Sequence, residues 1–120
     1  DLVMNKVFNT IARMGIKNIR WFPSASFPCH EPMIGHMDNG VIHHIEGSLN
    51  GPLGHYASNG KMKGLAVLRS HGGRWQSIQD GEVHIDIAII AAPTADPFGN
   101  CTGDRGPSAC GYAATCLPER

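Results

Sequence analysis

The run at residues 83–92, Val83-His84-Ile85-Asp86-Ile87-Ala88-Ile89-Ile90-Ala91-Ala92, constrains the fold more than any other stretch of the sequence. A strand sends successive side chains to opposite faces. Ile85, Ile87 and Ile89 would share one face, Ala88 and Ile90 the other, so the run is apolar on both. A strand of that kind is stable when covered on both sides, as in the centre of a parallel or mixed sheet flanked by helices. Residues 83–92 are therefore expected to form a buried central strand.

The rest of the chain alternates helix and strand patterns. Residues 1–14 read as a helix, with Val3, Val7, Ile11 and Met14 at helical spacing and Gly15 as its stop. Residues 16–22 read as a strand, with Ile19 and Trp21 on one side and Arg20 on the other. A loop at 23–28 leads to a short helix at 31–37, with Pro32 in its first turn and Asn39-Gly40 closing it. Residues 41–46 form a second expected strand. Gly51-Pro52 opens another helix, which Asn59-Gly60 ends. Residues 65–69 are a third strand, Gly72-Gly73 a tight turn, and 75–79 a helical turn stopped by Gly81. The pattern predicts an α/β fold, an open mostly parallel sheet flanked by helices. Ligands of such sheets bind beyond the carboxyl ends of the strands. The glycine-rich loops after Glu46, Arg69 and Ala92 would lie there. Beyond Cys101 no clear periodicity remains.

Composition narrows the classes. The 120 residues suffice for one small domain, 42% hydrophobic and 17% charged. Ten basic and ten acidic residues cancel, which gives no electrostatic argument for nucleic acid or an anionic membrane. No apolar run approaches a membrane span, and no secretory signal pattern is visible. The sequence opens at Asp1 directly into a helical pattern, which reads as a start within a domain. Cys29, Cys101, Cys110 and Cys116 make no C-x-x-C pair and read as free cytosolic thiols, ahead of disulfides or zinc. Of the seven histidines, His43 and His44 alternate across a strand, His30 and His36 do not share a helix face well, and no H-x-x-x-H pair exists. No metal site is expected. There is no G-x-S-x-G elbow for serine hydrolase chemistry.

Three loops remain as candidate chemistry. Ser70-His71-Gly72-Gly73-Arg74 follows a strand, and its paired glycines could present N–H groups to an anion or a developing oxyanion. A plain turn is the alternative, and the Lys-Ser/Thr end of a P-loop is missing. Gly47-Ser48-Leu49-Asn50-Gly51-Pro52-Leu53 leads into a helix, where Asn50 and the free N–H groups at Gly51 could hold a carbonyl or carboxylate oxygen, or merely cap the helix. In Ala92-Pro93-Thr94-Ala95-Asp96-Pro97-Phe98-Gly99-Asn100, Thr94 and Asp96 could face a ligand or build an Asx-type turn. Asn50, Gly51, Ser70, His71, Gly72 and Gly73 are thus candidate substrate or oxyanion contacts. Their loops are expected to converge at one end of the sheet.

Gly51-Pro52-Leu53, Ser70-His71-Gly72-Gly73-Arg74, Gly81-Glu82-Val83-His84-Ile85-Asp86-Ile87-Ala88, the Ala92-to-Asn100 segment and Ser108-Ala109-Cys110-Gly111 occur in that order after the opening Asp1-Leu2-Val3-Met4-Asn5-Lys6-Val7. Together they resemble the citrate lyase alpha-subunit family of the coenzyme A transferase superfamily. The likeness runs over residues 1–111, expected to be part of an amino-terminal coenzyme A transferase-like domain; residues 112–120 diverge as a tail. The resemblance implies an incomplete domain of a cytoplasmic enzyme. That enzyme would exchange the acetyl group on an acyl carrier protein for citrate, giving citryl thioester and acetate. It would bind no cofactor covalently and act on thioesters of coenzyme A or of the carrier's phosphopantetheine-type prosthetic group. Its partners would be the acyl carrier protein (gamma) and citryl lyase (beta) subunits. The family's nucleophilic glutamate is expected in the half of the subunit that follows this segment, so no catalytic residue is assigned here. Alternatives are another acyl-CoA:carboxylate CoA-transferase, an acyl-CoA hydrolase, or a non-catalytic module that binds a ligand or carrier protein.

Overall fold

The computed structural model describes residues 2–90, 92–103 and 106. Ala91, the Ser108-to-Gly111 segment, Cys116 and the divergent tail at 112–120 lie outside them. The chain divides into two units, residues 1–70 and residues 71–120.

The first unit opens with helix α1 (Leu2–Arg13), ended by Gly15 at φ +73°. Strand β1 (Ile19–Trp21) follows, then a 3₁₀ turn (Pro28–His30), helix α2 (Met33–Asp38), strand β2 (Ile42–Gly47), helix α3 (Gly51–Ser58) and strand β3 (Leu65–Leu68). The sheet order is β1-β2-β3, with both pairs parallel. Parallel neighbours need a crossover. α2 lies on the first of these crossovers and α3 on the second. The expected parallel sheet with flanking helices is present.

The buried helix faces differ from the sequence expectation. On α1 the apolar face centres on Phe8, buried, with Met4, Ile11 and Ala12 packed beside the core. Val3 and Met14 are exposed. Phe8 stacks edge-on against Trp21, with ring centroids 5.5 Å apart, and tilts over His36. Around this pair the core gathers Met33, Met37, Val41, Ile42, Ile45, Leu53 and Tyr56. The Tyr56 hydroxyl donates to Asp38, tying α3 to α2.

The second unit begins with helix α4 (His71–Gln79) and ends its described part with a two-stranded antiparallel ladder, β4 (Thr94–Ala95) and β5 (Cys101–Thr102). Two expectations fail here. Gly72-Gly73 is not a tight turn; both residues lie inside α4, and neither has positive φ. Residues 83–92 are not a central strand: among the described residues of the run none pairs in a sheet. Val83 is buried, but Ile87 is 82% exposed, and Ile89, Ile90 and Ala88 are also exposed. Apolarity on both faces makes a run able to be a central strand, but only hydrogen-bonding neighbours make it one. The central strand is β2, whose Ile42, Ile45, Glu46 and Gly47 are buried.

Candidate functional site

The carboxyl ends of β1, β2 and β3 define one edge of the first unit's sheet, because the strands are parallel. The chain rises there into the loops after Gly47 and Leu68. The β2 loop is fixed by backbone. Gly47 has φ +135°, and a Cβ there would lie 2.1 Å from the Pro23 carbonyl oxygen. Ala25 bridges to Ser48, and the Ser26 N–H donates to the Ser48 carbonyl. The Asn50 N–H donates to Ser26 Oγ at 2.6 Å, and that hydroxyl donates back to the Asn50 carbonyl. Ser26 is fully buried, so its one hydroxyl pins the loop that carries Asn50.

Asn50 is the residue before α3, in extended backbone, and its amide side chain does not cap the helix. It is exposed. Gly51 is the first residue of α3, with the Pro28 ring 3.7 Å from where a Cβ would stand. Ser70 follows β3, so strand polarity brings it to the same sheet edge as Asn50. His71, Gly72 and Gly73 form the first turn of α4 in the second unit. Thr94 lies in β4. Asp96 serves the turn: its carboxylate accepts from the N–H groups of Phe98 and Asn100 and from the Asn100 side chain. These donors hold its pKa below the usual carboxylate range. The turn alternative is the one realised at Asp96.

The sequence reading missed the polar group under this edge. Glu46, on the central strand with 4% of its side chain exposed, accepts from Arg20 Nη2 at 2.9 Å, Arg69 Nε at 2.8 Å and His44 Nε2 at 2.6 Å. Burial alone would raise the carboxyl's pKa; the hydrogen bonds from Arg69, Arg20 and His44 outweigh it and bring the pKa below normal. Its signal was present in sequence. A lone acidic residue on a buried central strand needs cationic partners, and Arg20 and Arg69 are the basic residues of β1 and of the β3 end. Arg74 was quoted in a motif but given no role, yet it is almost fully buried. Among the described residues no three His, Cys, Asp or Glu side chains gather as a metal site requires. Nor is any described helix long and apolar enough to cross a membrane.

These features define an α/β protein of the parallel-sheet class, with its polar loops and a buried ion cluster at the carboxyl edge. The family model for citrate lyase, alpha subunit, matches residues 1–117. The chain is 40% identical to the citrate lyase alpha chain of Escherichia coli K12 and 43% identical to that of Klebsiella pneumoniae, each over 92% of this chain and 22% of the relative. A crystal structure of a citrate lyase alpha subunit in complex with citrate, from Streptococcus mutans, superposes with a TM-score of 0.83 at 44% identity, over 91% of this chain and 22% of that one. The chain belongs to the citrate lyase alpha-subunit family, and it spans about a fifth of the length of the relatives it matches.

Proposed function

We propose that this chain supplies substrate-holding loops to a citrate:acyl-carrier-protein transferase, in which a carrier-bound acetyl thioester and citrate give citryl thioester and free acetate. The observation that carries this reading is the likeness over nine-tenths of the chain to alpha subunits of citrate lyase, one of them crystallised in complex with citrate. The loops following β2 and β3, with Asn50, Gly51 and Ser70, and the α4 turn of His71, Gly72 and Gly73 are the contacts we assign to substrate. The thioester would belong to coenzyme A or to the prosthetic group of an acyl carrier protein. The carrier and a citryl lyase subunit would be the partners, in the cytoplasm. The family's nucleophilic glutamate is assigned outside this chain. Glu46 is a poor candidate for it, because two guanidinium groups and an imidazole already occupy its oxygens.

The full-length subunit carrying this segment is the enzyme to test. Mixed with acetyl-carrier protein and citrate, it is expected to release acetate and leave citryl thioester on the carrier. Exchange with succinate but not citrate would move the assignment to a CoA-transferase of another acid. Thioester hydrolysis without exchange would make it a hydrolase, and carrier binding with no thioester chemistry a non-catalytic module.

A further inference from the structure

Arg74 stands in the first turn of α4 and is 1% exposed. Its Nη2 lies 2.6 Å from His71 Nδ1, while Nε and Nη1 have no hydrogen-bond partner. A guanidinium carries five N–H bonds, and Nε and Nη1 hold three of them. It stays charged in proteins, so burial cannot be relieved by losing a proton. Buried charges are found paired, since an unpaired one is strongly destabilising. The contrast with Glu46, whose carboxylate has three cationic or imidazole donors, is sharp.

The contact with His71 also fixes a tautomer. Arginine can only donate, so His71 Nδ1 must accept, and the neutral ring carries its proton on Nε2. That N–H is a further donor on an exposed residue. The same turn is the positive end of a nine-residue helix with no acidic residue in its first turn. A buried guanidinium, an imidazole N–H and a helix amino end therefore stand together on one turn, all favouring negative charge.

We infer that the first turn of α4 is a carboxylate-binding subsite, in which Arg74 and the His71 Nε2–H hold one carboxylate of a small polycarboxylic acid; this rests on the proposed function in taking citrate as that acid. The planar guanidinium matches a planar carboxylate, and His71 and Arg74, three residues apart on the helix, share the face that would meet it. The competing occupant is a carboxylate from elsewhere in the subunit.

The test uses the full-length subunit with Arg74→Lys and Arg74→Met, at constant ionic strength. Citrate and inorganic phosphate are the probes, and thermal midpoint, KM and kcat the readouts. Arg74→Lys is expected to raise KM for citrate roughly 10- to 100-fold with a much smaller change in kcat. Arg74→Met should abolish the citrate-dependent rise in midpoint while leaving the citrate-free midpoint unchanged or higher, because an apolar side chain of similar length removes an unpaired charge. A lowered citrate-free midpoint in Arg74→Met together with an unchanged KM in Arg74→Lys would show that a protein carboxylate holds the guanidinium, and would overturn the subsite. Phosphate protecting the wild type as strongly as citrate would overturn the carboxylate assignment. Transfer of citrate with normal KM in Arg74→Lys would sink the subsite and leave the functional reading standing. Citrate binding that depends on Arg74 without any transfer would do the reverse.

Discussion

Gly47 and Gly64 are positions where one methyl group is excluded by backbone. A Cβ at Gly64 would lie 1.7 Å from the His43 carbonyl oxygen, and one at Gly47 would meet Pro23 while also demanding φ +135°. No flexible side chain can yield at either place. Gly47→Ala and Gly64→Ala are each expected to cost at least about 2–3 kcal/mol in denaturant unfolding. Gly72→Ala is the control: the position is helical and open, so stability should hold or rise by about 0.5–1 kcal/mol. A loss at Gly72 equal to that at Gly47 would mean the first turn of α4 is misdescribed. Titratable residues carry the second prediction at this scale. His36 Nε2 bonds Asn9 Oδ1 at 2.9 Å, which places the ring proton on Nε2. Nδ1 is buried without a partner, and burial lowers the ring's pKa. The unfolded chain therefore takes up this proton first, and stability should fall as pH drops below about 6.5. Glu46, with its pKa depressed, keeps its full contribution above its unfolded value near 4.5 and loses it as pH falls through the folded value. Thermal midpoints from pH 8 to pH 3 should show both declines. Glu46→Gln should flatten the lower one and His36→Gln the upper; a pH-independent midpoint would contradict both assignments.

Among the elements, α1 is held to the sheet by one side chain more than by its stripe. Phe8 is 3% exposed and contacts both Trp21 of β1 and His36 of α2. Phe8→Ala is expected to destabilise by roughly 3–5 kcal/mol, whereas Val3→Ala, at an exposed position, should change stability by less than about 0.5 kcal/mol. Equal effects would restore the Val3–Val7–Ile11 face that periodicity suggested. That face and the real one differ by about one residue around the helix, because aromatic Phe8 was left out of the periodic set. Glycine and proline punctuation made the order of elements through β3 legible, with boundaries shifted by one to three residues. Parallel pairing was legible as well, since helices occupy both connections. α4 was not, because Gly72-Gly73 argues for a turn on propensity alone. In the structure the helix runs through them, with Arg74 and Ser77 buried on one side. The segment after β2 was legible as a loop, whereas the one after β3 runs directly into α4. Of the Glu46 cluster only the lone acid was legible; its partners are scattered from residue 20 to residue 69 and meet it only when three strands are in register.

At the scale of the whole molecule, each unit exposes large apolar side chains. Among the described residues β3 is the last strand in its sheet, and its Leu65 and Leu68 are 54% and 71% exposed. Ile87, Ile89 and Ile90 are exposed in the second unit. Edge strands and apolar β-prone runs are the usual sites of self-association. The isolated chain is therefore expected to associate with rising concentration in light scattering, and Leu68→Lys with Ile87→Lys to suppress it. Catalysis belongs to this scale too. An acyl-transfer nucleophile needs a carboxylate with free lone pairs reachable by a thioester. The carboxylate buried at the sheet edge, Glu46, has its oxygens taken by Arg20, Arg69 and His44. Asp96 is likewise absorbed in its own turn. Incubated with acetyl thioester and citrate, the isolated chain should show no exchange and no covalent acyl adduct by mass spectrometry, while the full-length subunit shows exchange. An acyl adduct mapped to Glu46 would mean that the ion cluster opens in solution, and one mapped to Glu82 that a surface carboxylate is the nucleophile. Either adduct would relocate the nucleophile into this chain.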